Sequence, residues 1–581
     1  MGGIQMNFRY LLKAALGEEP CDTLFTNARF ANLYTMELEK GSIAVKDGVI
    51  VGIGKDVEAK EIIDCSGKVL VPGFIEGHMH VESTFMTPRT LSAVISPLGT
   101  TTVMPDPHEI ANTCGVEGIR FMQRESEGLP VDFYYGAPSC VPASEFETPF
   151  EHIEANEIEQ LLREGVCSHL GEVMNYPGII SGSEKPWAKL EAAEGYIKTG
   201  HAPGVSGEFL SAYLLGNITS DHECSSVEEA MEKMRRGMYI MIRQGATARN
   251  LEDLAPILAE HPEYAMRCLA VSDDTTPDYI AERGHMDGAL REMIGFGVSP
   301  LCALRTMTLT PAEYFRLDDR GAIAPAKTAD IVMLDNLRSC SVLKVWKRGK
   351  LAAENGKCIE EIKGAVRSPL PGYTLGTRTP TAEELEVKAD PAGKKINVIG
   401  IIPGQVVTKT LKLVPSEENG LVCADAVRNL AKMVVVEKNR GTGRTAIGFL
   451  QGLGLRQGAI ASSVAHDAHN YTCIGMDDIS MAAALRELSR IKGGIVLTEG
   501  EKILAELELP VGGLMSLLSA EEIKKKTAEL AAARDYLGSE NSNAFMYLSF
   551  MSLSVIPELK LTDKGYCDIT KPDGIIPLFT D

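Results

Sequence analysis

Between residues 69 and 275 the chain uses one device eight times: a short apolar, strand-like run closes on a cluster of polar, potentially ligating side chains. In order these are VLVPGFIEGHMH, TTTVMPDPHE, VDFYYGAPS, VCSHLGEVMN, YIKTGHAPG, ITSDHE, YIMIRQGAT and RCLAVSDDT. Helix-like stretches separate them. In SSVEEAMEKMRRG, Val227, Ala230, Met231 and Met234 fall at i, i+3, i+4 and i+7, the spacing of one helical face. Eight strand–helix units in about 250 residues match a (β/α)8 barrel, whose strand ends converge on one mouth where active sites are built. An α/β fold with such a barrel over residues 71–319 is therefore expected.

The first run ends in His78 and His80. Side chains alternate along a strand, so these two imidazoles share a face and could grip one ion. A hydrogen-bonded pair at a strand edge is the plainer alternative for this motif alone. Seven of the eleven histidines, however, fall between positions 78 and 222. His78 and His80 (first strand), Glu172 (fourth), His201 (fifth), His222 (sixth) and Asp273 (eighth) form one convergent set. Taken singly, His201 reads as a turn residue and Glu172 as a surface carboxylate. Together, four imidazoles and two carboxylates exceed the needs of one ion and suit two, bridged by a carboxylate and a hydroxide. Mixed imidazole and carboxylate donors without thiolate suit Mn, Fe or Zn.

At 581 residues the chain is too long for one ordinary core. Residues 22–70 read as short strands, with a hairpin turn at Lys46-Asp47-Gly48. Similar runs recur at ADIVMLDN and CSVLKVWKRGKLAAENG, which predicts a composite small β-domain from 1–70 and 320–365. RSPLPGYTLGTRTPTAEE marks a linker at 366–384, and 385–581 alternates strand-like and helical runs, an additional C-terminal α/β domain. There, Ser519 three residues before Glu522 predicts a capping box. No window approaches 18 uninterrupted apolar residues, so no membrane partner is expected. A formal charge of −21 argues against a nucleic-acid partner. Thirteen scattered cysteines without a Cys-x-x-Cys pair suit the reducing cytoplasm. Glycine-rich GTGRTAIG and GLGLRQG end in no phosphate-loop signature and read as turns. His80-Val-Glu82 matches the small zinc deaminases only in part, because no Pro-Cys-x-x-Cys follows.

PGFIEGHMHVEST, MPDPHEIAN, LGEVMNYPG, KTGHAPG, SDHE and VSDDT together resemble the amidohydrolase superfamily, and more narrowly its long adenine deaminases. The resemblance covers essentially the whole chain. His-x-His marks only the superfamily; PDPHEIAN, LGEVMN and the extra C-terminal region are more specific. It implies hydrolysis of adenine to hypoxanthine and ammonia, a purine-salvage reaction, with a metal-activated hydroxide attacking C6. Glu172 takes the place that a carboxylated lysine holds in many relatives. Asp273 would be both metal ligand and base, passing a proton to the leaving amine. Asp274 would face purine N7 or cap a helix. His108 would serve proton transfer and Glu109 substrate binding, or both would be structural neighbours of the metals. Glu82 and Ser83 are further substrate-binding candidates. The family points to two divalent ions, Mn or Fe, with Zn compatible, and a homo-oligomer is expected. Another amidohydrolase acting on a cyclic amide or acetamido sugar, or a catalytically silent scaffold, is the alternative.

His466 and His469, in SSVAHDAHN, are the two histidines beyond His285, and they follow a small apolar run. Segments from elsewhere commonly close barrel mouths. This loop is expected either to reach over the mouth and touch the purine or to cap a helix within its own domain.

Overall fold

The computed structural model describes residues 8–246, 249–359, 362, 377–403, 405–539, 544–571 and 574–581. Residues 366–376 of the expected linker lie outside this set, as do 1–7, 360–361 and 363–365 of the expected small domain.

The eight expected strands are present: β1 (Phe74–Met79), β2 (Thr100–Pro105), β3 (Asp132–Phe133, continued by Gly136–Ala137), β4 (His169–Val173), β5 (Lys198–Gly200), β6 (Ser220–Asp221), β7 (Tyr239–Arg243) and β8 (Cys268–Val271). β1, β2, β4 and β8 are buried along their whole length, the pattern of parallel strands covered on both faces. Parallel pairing joins β1 to β2, β2 to β3, β3 to β4 and β4 to β5. The Thr219 amide donates to the Lys198 carbonyl (3.1 Å), linking β5 to β6, and β6, β7 and β8 pair in turn. The order then returns to its start: the Asp273 amide donates to the His78 carbonyl (2.9 Å) beside a parallel Met79–Asp273 bridge. The strand ends thus stand around one centre. The fold class is α/β, as expected.

One apolar run divides differently from its reading as a single strand. Val69–Pro72 leaves the ring and pairs antiparallel with Ile331–Leu334. Gly73 separates it from β1, and a Cβ there would lie 2.3 Å from Thr101 Oγ1. Both pieces are wholly buried, so apolarity alone could not reveal the break. Val69–Pro72 and Ile331–Leu334 sit in one nine-stranded sheet built from residues 21–72 and 331–358, the distant pairing expected from the split runs.

The C-terminal region contains a second nine-stranded sheet, antiparallel apart from one parallel contact between Lys395–Ile401 and Thr445–Gln451. The capping box at Ser519 and Glu522 forms on helix Ala520–Tyr536. The expected alternation of strand and helix is not what forms: strand mostly follows strand. Outer strands such as Lys502–Glu508 expose much of their length, which weakens their apolar signal. GTGRTAIG turns only at its start and then enters strand Thr445–Gln451. This region packs on the loops beyond β1–β4: the Ser516 amide donates to the Phe85 carbonyl (2.8 Å), and the Thr562 hydroxyl to the Phe146 carbonyl (2.6 Å).

Candidate metal centre

Alternation along β1 turns Glu76, His78 and His80 to one side. Glu76 is fully buried and accepts hydrogen bonds from the backbone amides of His78 (3.0 Å) and Ser272 (3.1 Å), which anchors β1 to β8. His80 Nδ1 lies 3.1 Å from the Asp106 carbonyl, which accepts its proton. Nε2 is thereby the ring nitrogen that faces the centre, 3.1 Å from Asp273 and 3.4 Å from Glu172. His78 Nε2 lies 3.3 Å from Asp273 and 3.9 Å from Glu172. On the other side of Glu172, Oε2 is 2.9 Å from His201 Nδ1 and 3.2 Å from His222 Nε2. The six residues singled out in the sequence therefore meet, with Glu172 between two groups of donors.

This set fits a pair of divalent cations. His78 Nε2 is buried without a hydrogen-bond partner among the described residues. The donors are imidazole nitrogen and carboxylate oxygen at ligating separations from one another. His78, His80 and Asp273 could hold one ion, and His201 and His222 the other, with Glu172 shared.

Asp273 adopts a left-handed backbone (φ 56°), which a non-glycine residue accepts only under outside constraint. The backbone bonds to β1 supply that constraint, and Arg243 adds another. Arg243 Nη1 donates to Asp273 Oδ2 (2.9 Å), and the same guanidinium grips both oxygens of Glu223. Burial works against charge on Asp273, but the imidazoles of His78 and His80 and the Arg243 guanidinium hold its carboxyl well below the usual range. Sequence reasoning passed over Arg243 and Glu223, although both lie in clusters it had marked (YIMIRQGAT and SDHE). It also passed over Asp106, whose Oδ2 accepts from the Glu172 amide (2.7 Å) and whose Oδ1 accepts from the His108 amide (3.2 Å). Gly171 allows that approach: a Cβ there would meet Asp106 Oδ2 at 2.3 Å.

A second layer begins at helix α1 (His108–Glu125). His108 Nδ1 is 3.5 Å from Glu172 Oε1, and its Nε2 is 3.6 Å from Glu109 Oε1. The C-terminal loop arrives here. His466 Nδ1 lies 2.7 Å from Glu109 Oε1, and His469 Nε2 abuts Glu109 Oε2. His469 Nδ1 accepts from the Ala465 amide (3.0 Å), so its Nε2 carries the proton and faces the carboxylate rather than an ion. The loop thus reaches the strand ends, and its two histidines close on Glu109. The remaining candidates have partners of their own. Glu82 Oε1 accepts from the Ile110 amide (3.1 Å) in the first turn of α1, and the Ser83 hydroxyl donates to Asp274 Oδ1. Burial, then the nearby charge of Glu109, pushes Glu82 up to about 7.

The amidohydrolase family profile matches residues 69–352, and the adenine deaminase C-terminal domain profile matches residues 405–573. An adenine deaminase of Kosmotoga olearia is 39% identical over 99% of this chain and 99% of its own length. One of Oleidesulfovibrio alaskensis is 40% identical over 98% of each. A solved beta-aspartyl dipeptidase from Fervidobacterium islandicum covers 58% of this chain and 98% of its own at 18% identity, with a TM-score of 0.45.

Proposed function

The chain belongs to the adenine deaminases of the amidohydrolase superfamily, and from that membership we propose that it hydrolyses adenine to hypoxanthine and ammonia. The observation that carries the reading is the inward convergence of His78, His80, Glu172, His201, His222 and Asp273 around one centre. When bound, two divalent ions, Mn or Fe by family and Zn compatible with the donors, supply the Lewis acidity that makes water a nucleophile near neutral pH. Glu172 would be shared between the two ions.

The residues around that centre divide the remaining work. Asp273 accepts a proton at Oδ1 and returns it to the departing N6 amine, while Arg243 at Oδ2 fixes the carboxylate's orientation. His108, next to Glu172, carries protons at the edge of the purine. Glu109, steadied by His466 and His469, and Asp274, bonded to Ser83, line the base; Glu82 supports that wall through the Ile110 amide. The ring of eight strands reads as a (β/α)8 barrel over the expected 71–319, except that Val71 and Pro72 pair into the small sheet. A composite small β-domain (1–70 with 320–365), a linker (366–384) and the C-terminal domain (385–581) complete the chain. We assign it to the cytoplasm as a homo-oligomer acting in purine salvage, with neither nucleic acid nor membrane as partner. Among the described residues, no helix is long and apolar enough to cross a membrane.

The test is ammonia release from adenine by Mn- or Fe-loaded enzyme, with adenosine in parallel. Turnover of adenine far above that of adenosine supports the reading. Equal rates on the nucleoside, or none on the base, defeat it.

A further inference from the structure

Asp467 lies between the two histidines that close on Glu109, yet its own carboxylate is left open. It is 3% exposed, and its Oδ2 is buried without a hydrogen-bond partner among the described residues. Oδ1 stands 4.0 Å from His108 Nε2 and 3.8 Å from His466 Nδ1, both beyond hydrogen-bond length. A buried carboxylate oxygen without a donor is costly, so a fold retains one where something else supplies the donor.

We propose that Asp467 accepts the ring N–H of the free purine's five-membered ring, making it a specificity residue that the C-terminal region contributes to the active site. The inference rests on the proposed reaction and names a residue that reads the substrate. His108 sets the scale: one ring nitrogen is 3.5 Å from Glu172 and the other 4.0 Å from Asp467. The open carboxylate therefore stands one imidazole ring beyond the carboxylate of the metal centre. A purine whose C6 reacts at that centre extends its five-membered ring away from it. Adenine offers donors only at the exocyclic amine and at the ring N–H. The amine is the leaving group at the centre, which leaves the ring N–H for a more distant acceptor. Most neighbouring acceptors are engaged: Glu109 by His466 and His469, Asp274 Oδ1 by Ser83, and Glu147 by the Ala468 amide (3.3 Å) and the Ser554 hydroxyl (3.2 Å), while Glu82 takes the Ile110 amide at Oε1 and leaves Oε2 as a second open oxygen. In a 9-substituted purine a carbon replaces that N–H, and Asp467 would be buried against it unpaired.

The test compares Asp467→Ala and Asp467→Asn with the wild type on adenine and 9-methyladenine. Hypoxanthine binding by equilibrium dialysis and metal analysis accompany the kinetics. The expected result is a rise in KM for adenine of about tenfold to a hundredfold in Asp467→Ala, the loss of one hydrogen bond to a charged group. Hypoxanthine binding should weaken by a similar factor, with metal content unchanged and KM for 9-methyladenine nearly unmoved. Asp467→Asn, which keeps an acceptor oxygen and the side-chain volume, should fall between, and it decides the matter if the alanine variant does not fold. Unmoved KM for adenine in the asparagine and alanine variants, or equal losses on both substrates, overturns the inference while leaving the reaction intact. A loaded wild-type enzyme that releases no ammonia from adenine removes the reaction and the inference together.

Discussion

Glu172, placed between two groups of imidazoles, has to be an anion to be shared. Glu172→Gln replaces one oxygen by an amide nitrogen, a poor bridging donor. Metal content should fall from about two ions per chain to about one or fewer, with activity lost; full occupancy by metal analysis would show that Glu172 is not shared. Arg243 acts through Asp273. Lysine keeps the charge but cannot clamp Asp273 and Glu223 from one planar fork, so Arg243→Lys should lower kcat about tenfold to a hundredfold with metal retained. An unchanged kcat would reduce Arg243 to a packing element. Away from the ions, burial and then the nearby Asp467 charge raise Glu147 to about 8. A carboxyl raised in the folded state binds more protons than the unfolded chain does, so its stabilising contribution is full below the unfolded value. It is lost as pH rises through about 8. Glu147→Gln imitates the neutral form, so the melting temperature of this variant should gain on wild type from pH 5 to about pH 8 and then level off. A constant difference across that range would place the ionisation elsewhere.

At the scale of elements, the loop of residues 463–470 does what its sequence alone left open. It follows strand Ala459–Ser462, and its histidines close on Glu109 at the start of α1 instead of capping a helix in their own region. Removing either imidazole frees Glu109 to turn. His466→Ala and His469→Ala should therefore each raise KM or lower kcat about tenfold, with metal content and melting temperature close to wild type. Kinetics equal to wild type in both would make the cluster purely structural. The alternation of β1 and the capping box at Ser519 were legible from local chemistry, because a period of two and a Ser-x-x-Glu spacing are set by neighbouring residues. The break at Gly73 was not legible: what divides Val69–Pro72 from β1 is Thr101, which approaches from another strand.

For the whole molecule, the metal centre draws donors from five strand ends and should tie them together when loaded. Anything that binds only the folded state stabilises it, so extraction of the ions by a chelator should lower the first unfolding transition by about 5 °C or more and be reversed by Mn or Fe. A melting temperature indifferent to chelation would mean that the ring holds its mouth together without them. The C-terminal region is part of the same unit, since its loop faces α1 and its Ser516 bonds the segment after β1.

Read alone, the sequence determined the eight strand–cluster units, the six inward donors, the pairing of distant strands in the small sheet and the family. Each of these is written in local periodicity or in residue type at a strand end. Tertiary structure decided the rest. It set Arg243 against Asp273, left Asp467 open beside His108, brought Ser83 to Asp274, and laid the C-terminal strands antiparallel. Those outcomes depend on which surfaces meet when separate elements pack, and no local period records the distance between residues such as Glu109 and His466.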